Sequence, residues 1–150
     1  NLGDGFPNHW GGAGLFSTAA DWLKFSNMLR KAVKGEENKV ANPELIRKMA
    51  TNQLAGDIAS LLHEGPEGFR EWMPFEGLGM GLGVWVAQDS SRLAWNSNPG
   101  EFGWGGIANT VFWIDPVSDS SVLFFTQVMP SSQLGLRVAL HRFAAEILHR

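Results

Sequence analysis

A chain of 150 residues has the length of one domain, and folding at that size hides about 68–70% of the unfolded chain's surface. Hydrophobic residues make up 44% and charged residues 18%, which is a globular composition and not a disordered one. A formal charge of -3 without a basic stripe argues against nucleic acid as a partner, and the lack of cysteine excludes disulfides and thiolate metal sites.

No apolar run reaches the roughly eighteen residues of a membrane-spanning helix. The first residue is Asn1 and not methionine, which suits a processed product or a piece of a longer chain. Residues 1–14 read as loop, because Gly3, Gly5, Pro7, Gly11, Gly12 and Gly14 forbid a regular element. His9 and Trp10 in that loop read as surface or packing residues. Ser17 or Thr18 then caps a helix whose apolar face is expected to be Trp22, Phe25, Leu29, Ala32 and Val33, with Gly35 closing it. Asn42-Pro43-Glu44 has the order of a cap, a first-turn proline and a first-turn acid, and opens a second helix with Leu45, Ile46 and Met49 on one face.

Residues 51–77 are poorly patterned and broken by Pro66, Gly68, Pro74 and Gly77, with room for one helical turn at Ile58 to His63. A loop of that length is expected to be functional or mobile. His63 and Glu64 lack the spacing of a zinc motif, so no metal is expected. From Leu78 the period becomes two. Leu78, Met80, Leu82, Val84 and Val86 are expected on one face of a strand, opposite Gly79, Gly81, Gly83 and Trp85, where something packs unusually close. After a turn at Asn96 to Gly100, Ile107 to Ile114 is rich in β-branched and aromatic residues, and Asn109 to Asp115 reads as a strand. Val122 to Val128 returns as its neighbour, buried on both faces. A last helix is expected to bury Leu136, Ala139, Leu140, Phe143 and Ile147. The fold class is α+β, an antiparallel sheet flanked by helices.

The most unusual stretch is Glu101-Phe102-Gly103-Trp104-Gly105-Gly106-Ile107. Its three glycines bare the backbone on both sides of one indole. Glycine inside a strand marks a bulge or a close approach by another backbone or a ligand. Two readings stay open: a ligand-binding strand with an aromatic wall, or a twisted hairpin corner with a core tryptophan.

Gly11-Gly12-Ala13-Gly14-Leu15-Phe16-Ser17-Thr18-Ala19-Ala20-Asp21-Trp22 resembles the "GGxGL-STAxD" helix opening of the β-lactamase-related serine hydrolases, the group of class C β-lactamases, penicillin-binding-protein-like proteins and carboxylesterases. Phe102-Gly103-Trp104-Gly105-Gly106, followed by Thr110 to Pro116, resembles the family's third active-site element and its next strand. The two matches stand in the family's order, with Gly79 to Gly83 between them. The resemblance implies residues 1–150 as a single partial domain, the C-terminal part of a β-lactamase/transpeptidase-like domain. It also implies acyl transfer to or from an ester, amide or lactam, with no cofactor. Trp104, Gly105 and Gly106 would then bind substrate, and the backbone N–H of Ile107 would be one oxyanion donor. Trp104 stands where β-lactamases carry lysine, which disfavours a β-lactam carboxylate. Asn109 replaces a common glycine, and asparagine tolerates positive φ well.

The chain has no tyrosine and no Ser-x-x-Lys, so the nucleophile-bearing part of the domain is absent from these residues. A hydroxyl without an adjacent base is a poor nucleophile, so the segment is expected to be inactive alone. Its partners would be a companion N-terminal fragment or a second copy at an open sheet edge. The competing function is a non-catalytic ligand- or carbohydrate-binding module, suggested by the seven tryptophans.

Overall fold

Five strands form one antiparallel sheet in chain order, β1 to β5, in a computed structural model that describes residues 16–61, 75–129 and 135–148. The strands are β1 (Leu78–Met80), β2 (Trp85–Ala87), β3 (Phe102–Gly105), β4 (Val111–Asp115) and β5 (Ser120–Phe124). The helices are α1 (Ala19–Val33), α2 (Pro43–Met49), α3 (Ile58–Leu61) and α4 (Leu136–Leu148). No helix among the described residues is long and apolar enough to cross a membrane. The expected loop at residues 1–14, with His9 and Trp10, lies outside the described residues. So do His63, Glu64 and the rest of residues 62–74 of the unpatterned excursion.

Local chemistry sets the helix ends. Thr18 Oγ1 accepts from the Asp21 N–H at 3.1 Å, and Gly35 closes α1 at φ 98. Asn42 Oδ1 accepts from the Glu44 N–H at 2.8 Å ahead of Pro43. The buried face of α1 is Ser26, Leu29 and Ala32, while Phe25 is exposed. The helix is thus rotated from the expected face: Trp22 packs edge-on against Phe112 at 5.4 Å, and Phe25 flanks it at the rim. In α2 Ile46 is buried and Leu45 exposed, so its apolar face is narrower than expected.

The segment from Leu78 to Val86 is a hairpin and not one strand. Leu78 pairs with Ala87 and Met80 with Trp85, and the chain reverses where the Gly81 N–H donates to the Val84 carbonyl at 2.8 Å with Gly83 at φ 80. Leu78, Trp85 and Ala87 therefore join one core cluster, Val84 and Val86 the other, and Leu82 is exposed. The expected close approach is present at Gly79 and Gly81 but, among the described residues, not at Gly83, where a Cβ would meet nothing within 4 Å. A side chain on Gly79 would strike Asn52, and one on Gly81 would strike the Met49 carbonyl. Asn52 also covers the outer edge of β1, its Oδ1 accepting from the Met80 N–H at 3.0 Å. Val122 to Val128 is not a strand buried on both faces: β5 ends at Phe124, is half-buried throughout and is the last strand of the sheet.

Two apolar clusters flank the sheet. Leu29, Ile46, Val86, Phe102 and Ile114 lie on the α1–α2 side. Ile58, Leu78, Trp85, Trp95, Trp113 and Ala144 lie on the other. There α4 reverses the expected pattern. Arg137, His141 and Ala144 are its buried residues, while Phe143 is 62% exposed and Ile147 is exposed too. Aromatic stacking explains the rotation. The His141 ring lies against Trp113 (centroids 3.8 Å) and Trp95 (4.4 Å), near-parallel to both. Its Nδ1 is 3.5 Å from Glu101 Oε1, which also accepts from Trp95 Nε1 at 3.4 Å.

Burial pushes Glu101 up to about 8, against the pull of hydrogen bonds from Ser97 and Trp95 and with the help of nearby Asp115. Burial, and then the charge of Arg137, pushes His141 down to about 3. The two therefore meet as a neutral acid and a neutral imidazole and not as an ion pair. Asp115 is held below its ordinary value: its burial is outweighed by hydrogen bonds from the Ser118 and Asn98 side chains and the Val117 and Ser118 amides.

Two outcomes follow from these contacts. Gly81→Ala should lower stability by about 1–3 kcal/mol, because the new methyl meets backbone and not a movable side chain. An unchanged urea midpoint would contradict this. The second concerns pH. Glu101 contributes stability that is complete below its unfolded value of 4.5 and is lost as the pH rises through about 8. His141 contributes stability that is complete above 6.5 and is lost as the pH falls through about 3. The slopes cancel between 4.5 and 6.5, so stability should form a plateau there and fall on both sides. Glu101→Gln should abolish the alkaline decline in urea midpoints measured from pH 3 to 9 and start the acid decline near 6.5. A wild-type profile that stays flat from 6.5 to 8 would be inconsistent with this pair.

Candidate active-site strand

Each residue expected at the site lies at the end of β3 or in the turn after it. Phe102 is fully buried against the α1–α2 cluster, and strand alternation puts Trp104 on the same face two residues on. Trp104 is 43% exposed, so it is an aromatic surface and not the core tryptophan of a hairpin corner. Its cross-strand partner is Phe112.

Among the described residues one edge of β3 is left unpaired at this point. Pairing of β3 with β4 runs from Phe102↔Ile114 to Gly105↔Val111 and continues as the Gly106 N–H donates to the Thr110 carbonyl at 2.7 Å. Pairing with β2 stops at Trp85↔Gly103. In an antiparallel ladder the backbone groups of alternate residues address opposite neighbours. Because the Ala87 N–H donates to the Glu101 carbonyl and the Gly106 N–H addresses β4, the Gly105 groups address the β2 side. There β2 has already turned away at Gly83. Among the described residues the end of β3 therefore has no neighbour on its β2 side, although β3 is an interior strand of the sheet.

The three glycines answer to different neighbours. A side chain on Gly103 would run into the Phe112 carbonyl and Trp113. One on Gly105 would lie 2.8 Å from the guanidinium carbon of Arg137. The close approach expected at these positions is thus made by the protein's own β4 and α4. Gly106 is different: a Cβ there would have Thr110 as its nearest neighbour, at 3.9 Å. Among the described residues nothing in the protein's packing requires glycine at 106.

Arg137 was not foreseen as part of the site. It is 8% exposed, and its Nη2 donates to the Gly106 carbonyl at 2.6 Å. Burial lowers its pKa, yet a guanidinium keeps its proton in proteins. No carboxylate among the described residues pairs with it. The signal in the sequence was a polar pair at i and i+4, Arg137 and His141, on a helix otherwise read by its apolar residues.

After Gly106 the chain turns, the Asn109 N–H closing on the Gly106 carbonyl at 3.1 Å. Asn109 sits at φ 65 and is fully buried, which its tolerance of the left-handed region allows. Ile107 is the second residue of that turn, with its side chain exposed. No partner for its N–H is found among the described residues. Among the described residues Trp104, Gly105, Gly106 and Ile107 thus bring together an aromatic face and, at Ile107, a backbone donor without a partner. They carry no titratable group, so proton transfer and nucleophilic attack would have to come from elsewhere. Among the described residues no group of three His, Cys, Asp or Glu is placed to hold a metal ion.

Known proteins supply the context. The chain is 30% identical over 133 residues to two proteins of Mycobacterium tuberculosis, Protein Rv1367c of strain ATCC 25618/H37Rv and Uncharacterized protein MT1414 of strain CDC 1551/Oshkosh. The match takes in 86% of this chain and 31% of theirs, so the chain spans about a third of the length of these relatives. Among solved structures, the unliganded simvastatin synthase LovD from Aspergillus terreus superposes with a TM-score of 0.69 at 23% identity, over 94% of this chain and 37% of that one. EstCE1, "a hydrolase with promiscuous acyltransferase activity", superposes with a TM-score of 0.62 at 21% identity, over 83% of this chain and 29% of that one. These two likenesses concern the fold. The β-lactamase family model itself matches residues 2–146, and on that match the chain belongs to the β-lactamase family.

Proposed function

We propose that this chain is a segment of a serine hydrolase or acyltransferase that acts on esters, amides or lactams through an acyl-enzyme. It supplies the third active-site element: the Ile107 N–H as an oxyanion donor, and Trp104, Gly105 and Gly106 as the wall along which substrate lies. The observation that carries the reading is Gly106, a bare residue at a free strand edge that the described packing leaves open. The EstCE1 chemistry named above is of the same kind.

The serine would come from a part of the domain outside these residues, since no Ser-x-x-Lys occurs in them. Its Oγ loses a proton to the neighbouring lysine and attacks the carbonyl carbon, and the carbonyl oxygen takes up the negative charge. The Ile107 N–H meets that oxygen, in a place where a fixed donor stabilises the transition state by roughly 2.7–4 kcal/mol. The leaving group departs with a proton, and water or an alcohol then frees the acyl group. Trp104 replaces the lysine of β-lactamases with a neutral ring, which suits neutral esters and small amides. The binding-module reading loses ground, because Trp85, Trp95 and Trp113 are core residues and Trp22 packs on Phe112.

Ile107→Pro removes the donor at a turn position where proline is favoured. In a protein that joins this segment to its serine, it should slow acylation by about 10²–10³ while stability is kept. Gly106→Val should also block acylation with folding retained, since among the described residues the added Cβ would meet nothing closer than Thr110 at 3.9 Å. Acylation by a fluorophosphonate or an activated ester measures both. Wild-type rates in either variant would contradict the assignment.

A further inference from the structure

The Gly106–Ile107 peptide is one rigid plane with two polar ends. A trans peptide departs from planarity by little more than about 10–15°, so its C=O and N–H point in opposite directions. Whatever fixes the Gly106 carbonyl therefore aims the Ile107 N–H. Two donors hold that carbonyl oxygen: the Asn109 N–H at 3.1 Å, within the turn, and Arg137 Nη2 at 2.6 Å, from a helix 31 residues on. The first closes the turn itself. The second is a charged donor delivered by a different element, and charged donors make the shorter and stronger hydrogen bonds.

Placing this guanidinium is costly. It is nearly buried, its Nε has no partner, and no carboxylate among the described residues balances it. Such a cation is expensive to bury, and an apolar side chain of similar volume often serves stability as well or better. Gly105 has to stay bare for it to fit. Both costs converge on one contact, the Gly106 carbonyl.

We propose that Arg137 is a positioning residue for acyl transfer: by anchoring the Gly106 carbonyl on the β4 side, it aims the Ile107 N–H at the free, β2-side edge of β3. The positive charge also polarises the shared peptide and makes its N–H the better donor. The inference rests on the reading of Ile107 as oxyanion donor. Arg137 itself does not touch the reacting atoms.

The test is Arg137→Met beside Arg137→Lys, with two readouts. In the joined protein, Arg137→Met should lower kcat for an activated ester by about tenfold or more, less than deleting the donor outright, with KM little changed. Arg137→Lys, which keeps a charged donor, should restore part of the loss. In amide NMR spectra, Arg137→Met should shift the Ile107 N–H resonance and speed its hydrogen exchange, with Phe102 and Val111 unmoved. Unchanged kcat in Arg137→Met, or a lost kcat with an unmoved Ile107 amide, would overturn the inference. If Ile107→Pro leaves acylation untouched, the donor reading fails and takes this inference with it. Loss with proline and none with methionine overturns the inference alone.

Discussion

The contact between Arg137 and the glycine strand sets how the last helix meets the sheet. A guanidinium can lie across β3 only because Gly105 has no side chain, and its reach to the Gly106 carbonyl fixes the distance of α4 at that end. One turn later His141 enters between Trp95 and Trp113 and meets Glu101, the residue just before β3. The helix therefore packs through a polar stripe, and its most apolar residues, Phe143 and Ile147, are left on the outside. Apolar burial alone would have chosen the opposite face. The stacked imidazole and the satisfied Gly106 carbonyl are what the chosen face offers in exchange.

The two sides of the sheet divide the work. On the α1–α2 side the core is aliphatic around Phe102, and the bare Gly79 and Gly81 let Asn52 and the Met49 carbonyl come close. On the α4 side the buried groups are titratable but neutral or hydrogen-bonded, and they support β3 from beneath. Trp104 to Gly106 sit where the β2 ladder ends and the β4 ladder continues, so among the described residues the unpartnered Ile107 N–H follows directly on a strand paired to β4. Under the proposed function, that arrangement is what lets this segment supply a fixed backbone donor.

Local signals were legible in the sequence. Thr18 and Gly35 bound the first helix and Asn42-Pro43 opens the second, because caps depend on neighbours within one turn. Asn109 at positive φ follows from the side chain's own preference. The resemblance carried by Gly11 to Trp22 and by Phe102 to Gly106 led to the family. The misreadings had two sources, one local turn and several distant partners. The Leu78 to Val86 alternation reads as one strand because the turn glycine, Gly83, hides among other glycines of the same period. The face of α4 depends on tryptophans about thirty to forty-five residues earlier, at 95 and 113. Trp95 sits in a turn-rich stretch where no periodicity marks it as core. Arg137 in the site is a contact across 31 residues between a helix and a strand end, which no spacing rule reports.

The most direct measurement is the structure of the complete enzyme phosphonylated on its serine. The account predicts a phosphoryl oxygen about 2.7–3.1 Å from the Ile107 nitrogen, with the Trp104 ring alongside the bound group. An adduct whose oxygen is held entirely by donors outside this chain, with Trp104 to Ile107 remote from it, would contradict the central claim that this strand forms one wall of an acyl-transfer site.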